Sequence, residues 1–388
     1  MAELLIVGAF LFLIVSTHPF VTYPLSLALI RRFSRTPLQR QAAGAAPARL
    51  DHAICLCAYN EAAVIERTIE NLLELRRRTG QLQILLYVDG ASDGTDEIAR
   101  RYADQIELVV SPERRGKSYG LNRLSSLVRA PILLLADANV DIAPDALVNM
   151  EKYFQMPEVG CVCGHLVYSN GGDSVTAATG SLYWRLEERI KKLESETGSV
   201  MGADGSLYAM RSQLYRPIPE GVADDMFLSL AVLCDGYRVV RAEDVRVFER
   251  AGTVAKDEFR RKIRIGCQAY STHRALWSQL RRLDGLSVYK YISHKLLRWF
   301  TVFTLIGAAV TAFAAVAVLG GVGLALVLAA AGLVGLWLAW KLRFRPVPML
   351  VDMFQAFMAT GIGVCQALTG ARVKLWEPAR SPLGSEER

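Results

Sequence analysis

The longest apolar runs of the chain lie near its two ends. Residues 1–30 contain a single ionised side chain, and residues 299–340 contain none. The first run is too long for the core of a signal peptide and no small-residue cleavage site follows it, so we predict an N-terminal transmembrane helix over residues 1–32. The second run is long enough for two spans of roughly 20 residues each. We therefore predict a transmembrane hairpin over residues 299–340, with its turn at Gly320 and Gly321.

A third apolar segment, residues 349–370, differs from the other two because Asp352, Gln355 and Gln366 interrupt it. Basic clusters flank the apolar segments, and the positive-inside rule places these clusters in the cytoplasm. Their residues are Arg31, Arg32, Arg35 and Arg40, then Lys290, Lys295 and Arg298, then Lys341, Arg343 and Arg345, and finally Arg372, Lys374 and Arg380. The last cluster requires the third segment to return to the side on which it started. We predict a re-entrant or interfacial segment there, with a third C-terminal span as the alternative, followed by a cytoplasmic tail over residues 371–388.

Between the apolar ends, short apolar runs alternate with amphipathic segments, which is typical of an α/β domain. We place this domain at residues 50–270, after a linker of small residues. The predicted strands cover residues 53–59, 83–89, 106–111, 131–137 and 159–169, and the first predicted helices cover residues 61–78, 95–102 and 117–128. The run at 131–137 is apolar without interruption, as expected of a strand that is buried on both faces of a parallel sheet.

Further helices are predicted after these strands, among them one within residues 222–240 that leads into another strand. Residues 183–196 are strongly charged and carry only a narrow apolar stripe, so we predict a solvated helix that lies on the domain or near the membrane. Residues 257–266 form a basic helix, and residues 278–298 are predicted to form an interfacial helix ahead of the hairpin.

Acidic residues stand where predicted strands end. Asp89 and Asp137 each terminate a buried strand, and ligands of open α/β sheets bind at the carboxyl ends of the strands. Two residues after Asp137, Asn139 adds an amide oxygen. Carboxylate and amide oxygens suit Mg²⁺ or Mn²⁺, so this pair is a candidate site for a divalent metal. For Asp93 and Asp141, a site role and a turn-forming role both remain open.

Composition and charge narrow the partners and the compartment. The chain has 52% hydrophobic residues and a net charge of +7, but its basic residues flank membrane segments, so we expect no nucleic-acid partner. The seven cysteines show no CxxC pair and no metal-type spacing with histidine, which favours buried thiols in a reducing cytoplasm. We expect a multi-pass protein of the cell (inner) membrane, with membrane lipid around its spans and the α/β domain in the cytoplasm.

Five motifs resemble those of one enzyme family and occur in the same order. They are AYNEAAVIERTIENLL, YVDGASDGT, RRGKSYGLN, ADAN and VADDMFLSL. Over about residues 50–270, the chain resembles the cytoplasmic domain of glycosyltransferase family 2, which includes the synthases of cellulose, hyaluronan and chitin and many exopolysaccharide glycosyltransferases. The sequence VKLWEPAR near the end resembles the cytoplasmic tail of this family. The resemblance implies an α/β GT-A fold, that of a nucleotide-diphospho-sugar transferase, flanked by N- and C-terminal transmembrane helices, and inversion at the anomeric carbon.

The resemblance also implies a set of donor-binding residues. These are Ala58, Tyr59, Asn60, Glu61, Asp89, Lys117, Asp137, Arg261 and Arg264. The first four would cradle the nucleotide, and Asp89 would hydrogen-bond the base, most often uracil. Asp137 and Asn139 match the DxD metal motif, with an amide in place of the second carboxylate. A solvated lysine remains the alternative for Lys117.

The acceptor side is implied by two further motifs. VADDMFL matches Thr-Glu-Asp-x-x-Leu, so Asp225 would be the catalytic base and Asp224 stands where the family has Glu. Helix N-capping is the alternative role for one of the two. Asp204 and Gly205 lie in a segment that resembles the acceptor-binding region, and a turn role is the alternative for Asp204.

The family motif Gln/Arg-x-x-Arg-Trp is incomplete here. Arg261 and Arg264 match its basic residues, which meet the donor diphosphate, but Ile265 stands where processive members have Trp. A basic helix held at an anionic membrane surface is the alternative for this stretch. The motif therefore leaves open whether the enzyme is processive.

The resemblance leads to three functional hypotheses. The first is a membrane-integrated inverting glycosyltransferase that uses a UDP-sugar and Mg²⁺ or Mn²⁺ to extend an exopolysaccharide or its lipid-linked precursor. The second is a polyprenyl-phosphate glycosyltransferase, and the third is a catalytically degenerate scaffold or export partner. In the first case the acceptor is a glycan or a lipid-linked sugar. Because the predicted spans are few, export of a polymer is expected to need a partner or a homo-oligomer.

Overall fold

The computed structural model describes residues 1–33, 50–168, 175–249, 255–342, 344, 347–373 and 375. Part of the sequence-based prediction falls outside these ranges. It comprises the basic residues Arg35, Arg40, Arg343, Arg345, Lys374 and Arg380 and most of the predicted tail at 371–388.

A mixed sheet in the order β3-β2-β1-β4-β7-β6-β8-β5 forms the centre of the described domain. Its strands are β1 (His52–Ala58), β2 (Leu82–Asp89), β3 (Glu107–Ser111), β4 (Ile132–Asp137), β5 (Asp141–Ile142), β6 (Val159–Tyr168), β7 (Leu207–Arg211) and β8 (Arg238–Glu249). Strands β1 to β4 pair in parallel, whereas β7 is antiparallel to β4. The carboxyl ends of β1, β2 and β4 therefore lie at one edge of the sheet.

Helices cover both faces of the sheet and extend beyond it. They are α1 (Ala2–Thr17), α2 (Thr22–Arg31), α3 (Ile65–Thr79), α4 (Thr95–Arg100), α5 (Lys117–Ser125), α6 (Ala146–Phe154), α7 (Val175–Glu196), α8 (Asp224–Cys234), α9 (Ala255–Leu280), α10 (Gly285–Tyr291), α11 (Leu297–Trp299), α12 (Thr301–Lys341) and α13 (Val347–Leu368). A π-helical turn, Ile292–Leu296, joins α10 to α11, and a 3₁₀ turn, Ser212–Leu214, follows β7.

The core lies on both sides of the sheet, which explains the uninterrupted apolar strands. In β1, Ile54 and Leu56 pack into one apolar cluster, whereas Ala53 and Cys55 pack into the cluster on the opposite face. Because consecutive side chains of a strand point to opposite faces, a strand that is covered twice needs apolar residues at every position. The α/β fold expected from the sequence is confirmed.

Helix α7 differs from its prediction. We expected the charged segment 183–196 to be solvated, but Glu187, Lys191 and Glu194 are buried. The prediction was wrong because the partners of these charges come from distant parts of the chain. The side chains of His294 and Arg298 lie against Glu187, so the charged face of α7 is an internal surface.

The apolar ends of the chain form long helices. Of the described helices, α12 and α13 are each long and apolar enough to cross a membrane, and α1 and α2, bent by 58° at the break between them, together could form one more span. The break follows Pro19, which has no N–H for a helical hydrogen bond. Within α12, the backbone is non-helical at Gly321, at the position of the predicted turn. The hairpin, the N-terminal span and the re-entrant segment at 349–370 stay predictions.

The junction between the domain and these helices is built from α9 to α11. The predicted interfacial segment 278–298 covers the end of α9, then α10, the π-helical turn and most of α11. Helix α9 packs closely on α13 where Gly266 approaches the backbone of Thr360 and Gly363 approaches Ile263. A side chain at either glycine would collide with the opposing backbone, so the two helices are held together along this line.

Candidate active site

Lys117 links the two acidic motifs of the sheet edge. Its Nζ lies 2.8 Å from Asp137 Oδ1 and 3.1 Å from Asp224 Oδ2. Burial acts to lower the pKa of Lys117, but the neighbouring carboxylates of Asp137 and Asp224 raise it above its ordinary value. Lys117 is therefore a fixed cation of the site and not a solvated lysine.

Asp225 lies beside the same cluster, with Gly205 between it and Asp137. A Cβ placed on Gly205 would be 3.3 Å from Asp137 Oδ2 and 3.6 Å from Asp225 Oδ2. Because residue 205 has no side chain, the gap between the two carboxylates stays open. Burial, followed by repulsion from Asp224, raises the pKa of Asp225 to about 7.

The two aspartates at the start of α8 do not cap the helix. The N-cap position is Ala223, and no side chain caps this end. Asp225 Oδ1 accepts a hydrogen bond from the N–H of Met226 at 2.6 Å, which fixes its rotamer. Asp224 pairs with Lys117, so the two carboxylates have different partners and can have different roles.

The carboxyl ends of β1 and β2 are tied to the loop before α5. Asp89 accepts hydrogen bonds from the N–H groups of Arg115 at 2.7 Å and Gly116 at 2.8 Å. The guanidinium of Arg114 lies 3.7 Å from the centre of the Tyr59 ring. These contacts hold the loop that precedes α5, so they position Lys117 at the start of that helix. Contact of Asp89 with a base stays a prediction.

The turn after β1 adopts a conformation that asparagine tolerates well. Asn60 has φ +53°, and its Oδ1 accepts a hydrogen bond from the N–H of Ser92 at 2.9 Å. Asp93 accepts from Thr95 and from the N–H of Ala62, so the turn-forming role is the one observed for Asp93. Ala58 ends β1 at this turn. The segment forms a rigid rim at the sheet edge.

Two glutamates near Asp137 and Asn139 have raised pKa values. Burial, followed by the charge of Asp137, raises the pKa of Glu61 to about 7. Burial also raises the pKa of Glu249 to about 7, against the lowering effect of Arg261. Asn139 Nδ2 donates to Glu249 Oε1 at 3.3 Å. Sequence reasoning missed Glu249, although its place at the end of β8 was a usable signal.

Arg261 and Arg264 on α9 both lie near these carboxylates. The charges of Glu258, Glu249 and Asp137 raise the pKa of Arg261, although burial opposes them. Burial and the proximity of Arg261 lower the pKa of Arg264, which also lies near Asp137 and Asp225. The two predicted diphosphate contacts are therefore brought to the carboxylate edge.

Asp204 is held by a buried lysine. Its Oδ2 accepts a hydrogen bond from Lys191 Nζ at 2.6 Å, and its Oδ1 accepts from the hydroxyl of Ser206. Asp204 thus anchors the segment that places Gly205 next to Asp137. Lys191 was missed from the sequence because it belongs to the helix that we expected to be solvated.

Few side chains that could bind a metal ion lie together in the part of the chain that the structure describes. No group of three or more His, Cys, Asp or Glu residues suited to a metal ion occurs there. The sequence left the role of Asp141 open between the site and a turn. In the structure its Oδ2 lies 2.7 Å from Nη2 of Arg67, with which it forms an ion pair. Asp137 and Asn139 remain as candidate ligands, and such a sparse set suits a cation that takes its other ligands from water and phosphate.

The fold and the motif order together define a nucleotide-diphospho-sugar transferase of the GT-A class. Residues 53–217 match the family model described as Glycosyl transferase family 2. Over this part, which is less than half of its length, the chain is similar to family 2 glycosyltransferases.

Relatives and solved structures support the same classification. An N-acetylglucosaminyltransferase of Rhizobium meliloti (strain 1021) is 26% identical over 54% of this chain and 52% of its own length. A poly-beta-1,6-N-acetyl-D-glucosamine synthase of Staphylococcus aureus (strain COL) is 24% identical over 47% of this chain and 46% of its own length. The chain spans about half the length of these two relatives.

One solved structure resembles nearly the whole chain. It is the mannosyltransferase PcManGT from Pyrobaculum calidifontis in complex with GDP-Man and Mn²⁺, with a TM-score of 0.71 and 22% identity over 94% of this chain and 99% of that one. At this level of identity the likeness shows the fold, and it extends to the helices at both ends of the chain.

Proposed function

We propose that this protein is a membrane-integrated, inverting glycosyltransferase that takes a sugar from a nucleotide-diphospho-sugar, with a UDP-sugar as the expected donor. The observation that carries the proposal is the arrangement around Gly205. A carboxylate of the metal motif and a carboxylate with raised pKa face the same gap, and Lys117 fixes the first of them. A donor and an acceptor hydroxyl can meet in that gap.

The donor diphosphate is expected to bind at the side of the cluster that carries cations. Lys117 lies at the sheet edge, and Arg261 and Arg264 approach the same carboxylates from α9. Negative charge grows on the diphosphate as its bond to the sugar breaks, and fixed cations stabilise that charge without having to reorganise. Ala58 to Glu61 and Asp89 would form the nucleotide end of the site.

A divalent metal fits the residues at the carboxyl end of β4. Lys117 engages Asp137 Oδ1, whereas Asp137 Oδ2 faces the open gap at Gly205. Burial, followed by the charge of Asp137, raises the pKa of the neighbouring Glu61 to about 7. Asp137 and Asn139 would hold Mg²⁺ or Mn²⁺. A bound divalent ion supplies Lewis-acid neutralisation of the departing diphosphate.

Asp225 is suited to act as the general base. A base works best when its pKa lies near the working pH, and the pKa of Asp225 is raised to about 7. Asp225 would take the proton of the acceptor hydroxyl while the hydroxyl oxygen bonds to the anomeric carbon. At the same time the bond from that carbon to the diphosphate oxygen breaks on the opposite face. Asp224 would position Lys117 rather than accept the proton.

The acceptor is expected to be a glycan or a lipid-linked sugar at the cytoplasmic membrane surface. The relatives named above are an N-acetylglucosaminyltransferase and a polysaccharide synthase, which favours exopolysaccharide or its lipid-linked precursor as the product. The helices at both ends of the chain would hold the domain where such an acceptor is presented. A homo-oligomer or a partner would provide export.

A panel of nucleotide sugars tests the proposal. Membranes containing the full chain are supplied with Mn²⁺ and radiolabelled UDP-glucose, UDP-N-acetylglucosamine, UDP-galactose or GDP-mannose. We expect one donor to label an alkali-stable oligosaccharide or polymer. Label on a single sugar attached to lipid phosphate would support the polyprenyl-phosphate enzyme instead. If no donor is bound or consumed, the proposal is wrong and the scaffold hypothesis replaces it.

A further inference from the structure

Glu194 of α7 joins three parts of the molecule through one carboxylate. The side chain is fully buried. Its Oε1 accepts a hydrogen bond from the hydroxyl of Tyr23 on α2 at 2.5 Å and lies 2.7 Å from Nδ1 of His294. Its Oε2 accepts a hydrogen bond from the N–H of Met201 at 3.0 Å. The carboxylate of Glu194 thus connects Tyr23 on α2 to the segment that leads to Gly205.

The segment 198–206, which we call the acceptor loop, is tied at several points along its length. Lys290 Nζ donates to the carbonyl of Glu194 at 2.9 Å and approaches that of Ser199 at 3.5 Å. The N–H of Ala203 donates to the hydroxyl of Ser229 on α8 at 2.9 Å. The Met201 bond lies between these two ties, so Glu194 restrains the middle of the loop.

The far end of the acceptor loop reaches the proposed site of transfer. Gly205 lies beside both Asp137 and Asp225, because a Cβ added to it would be 3.3 Å from Asp137 Oδ2 and 3.6 Å from Asp225 Oδ2. A shift of the loop would therefore change the space between these two carboxylates. Because bound reactants must be aligned to within a fraction of an ångström, such a shift alters transfer strongly.

We infer that Glu194 is a positioning residue that couples the N-terminal helix pair to the acceptor loop. Tyr23 and His294 contact one oxygen of the carboxylate, and the other oxygen accepts the hydrogen bond from the N–H of Met201. The inference rests on the proposed function for what the loop binds, but the coupling itself is a property of the fold. The competing explanation is that these contacts only stabilise α2 against the domain.

A matched pair of tyrosine variants separates the two explanations. Tyr23→Phe removes the hydroxyl that bonds Glu194 and keeps the ring. Tyr289→Phe removes a hydroxyl that bonds Ser26 on the same helix α2 at 2.6 Å, and the two tyrosine rings contact each other edge-to-face. Both variants weaken the attachment of α2, whereas only the first removes a partner of Glu194.

The first readout is amide hydrogen exchange across residues 199–205 in the full chain, reconstituted in lipid nanodiscs. Tyr23→Phe is expected to speed exchange there by at least ~5-fold, because local opening no longer breaks the Tyr23 bond. Tyr289→Phe is expected to leave it unchanged. Glu194→Gln, which keeps the size of the side chain but not its charge, is expected to speed exchange in the same peptide.

The second readout is kinetic. Tyr23→Phe is expected to raise the KM for the acceptor several-fold while leaving the donor KM unchanged, which a general loss of stability would not do. Equal exchange in the two tyrosine variants, or unchanged exchange in both Tyr23→Phe and Glu194→Gln, would overturn the inference. If the unmodified protein transfers no sugar, the proposed function fails, and hydrogen exchange alone still decides the coupling.

Discussion

The molecule buries charge in two regions, and the two differ in how that charge is balanced. The carboxylate cluster at the sheet edge contains Glu61, Asp137, Asp225 and Glu249, and the helix network under α7 contains Glu187, Glu194, His294, Lys295 and Arg298. In the cluster, burial and neighbouring acids raise the pKa of Glu61, Asp225 and Glu249 to about 7. In the network, the pKa values of Glu187 and Glu194 are lowered, although burial acts in the opposite direction, because cations lie against them.

The difference indicates which region does chemistry and which sets positions. In the network, Glu187 and Glu194 are held by His294 and Arg298, and these contacts fix the geometry of the elements that they join. In the cluster, Asp225 has a pKa of about 7, which suits proton transfer at neutral pH.

The largest predicted effect on folding is in the helix network. Glu187→Gln would leave His294, Lys295 and Arg298 without the carboxylate that they share. Breaking a buried ion pair from one side costs about 3–5 kcal/mol, so the free energy of unfolding should fall by that amount. Chemical denaturation in mild detergent measures it.

The control for this variant is an exposed ion pair. Glu74→Gln removes the partner of Arg77 and Arg78, all of which are partly exposed on α3. Because exposed pairs contribute about 0–1 kcal/mol, little change is expected. If Glu187→Gln lowered the free energy of unfolding as little as Glu74→Gln does, the network would be no more than a set of weak contacts.

The next prediction concerns the carboxylate cluster. Asp137→Asn removes the charged ligand of the proposed metal site and one partner of Lys117. The rate of transfer should fall by about 10²–10³-fold, and calorimetric binding of Mn²⁺ should disappear. Asp141→Asn, whose carboxylate pairs with Arg67, is the matched control. Loss of Mn²⁺ binding in both variants would remove the assignment of the metal ligand.

The smallest effect is on the pH profile. Asp225 can accept a proton only when it is deprotonated, and its pKa is raised to about 7. The kcat/KM should therefore rise about tenfold from about pH 6 to about pH 8, as expected for one essential base. Steady-state kinetics at saturating Mn²⁺ measure the profile. A flat profile across this range would exclude Asp225 as the titrating base.

The sequence predicted the cluster much better than the network, for a physical reason. Asp137 ends a strand that pairs in parallel with β1, and the carboxyl ends of such strands lie at one edge of the sheet, so a local pattern sufficed to place Asp137 there. Glu187 meets His294 and Arg298 across more than 100 positions of the chain. No periodicity within α7 carries that information, because a charged helix face looks the same whether it is solvated or paired.

The assignment of Asp225 is the central claim, and single-turnover transfer by Asp225→Asn tests it most directly. The protein is saturated with Mn²⁺ and the radiolabelled donor that proves active, and both donor binding and transfer are measured, with Asp141→Asn as the control. We predict donor affinity close to that of the unmodified protein and a rate of transfer lower by about 10²–10⁴-fold, the contribution of a general base. Transfer within tenfold of the unmodified rate would contradict the role assigned to Asp225.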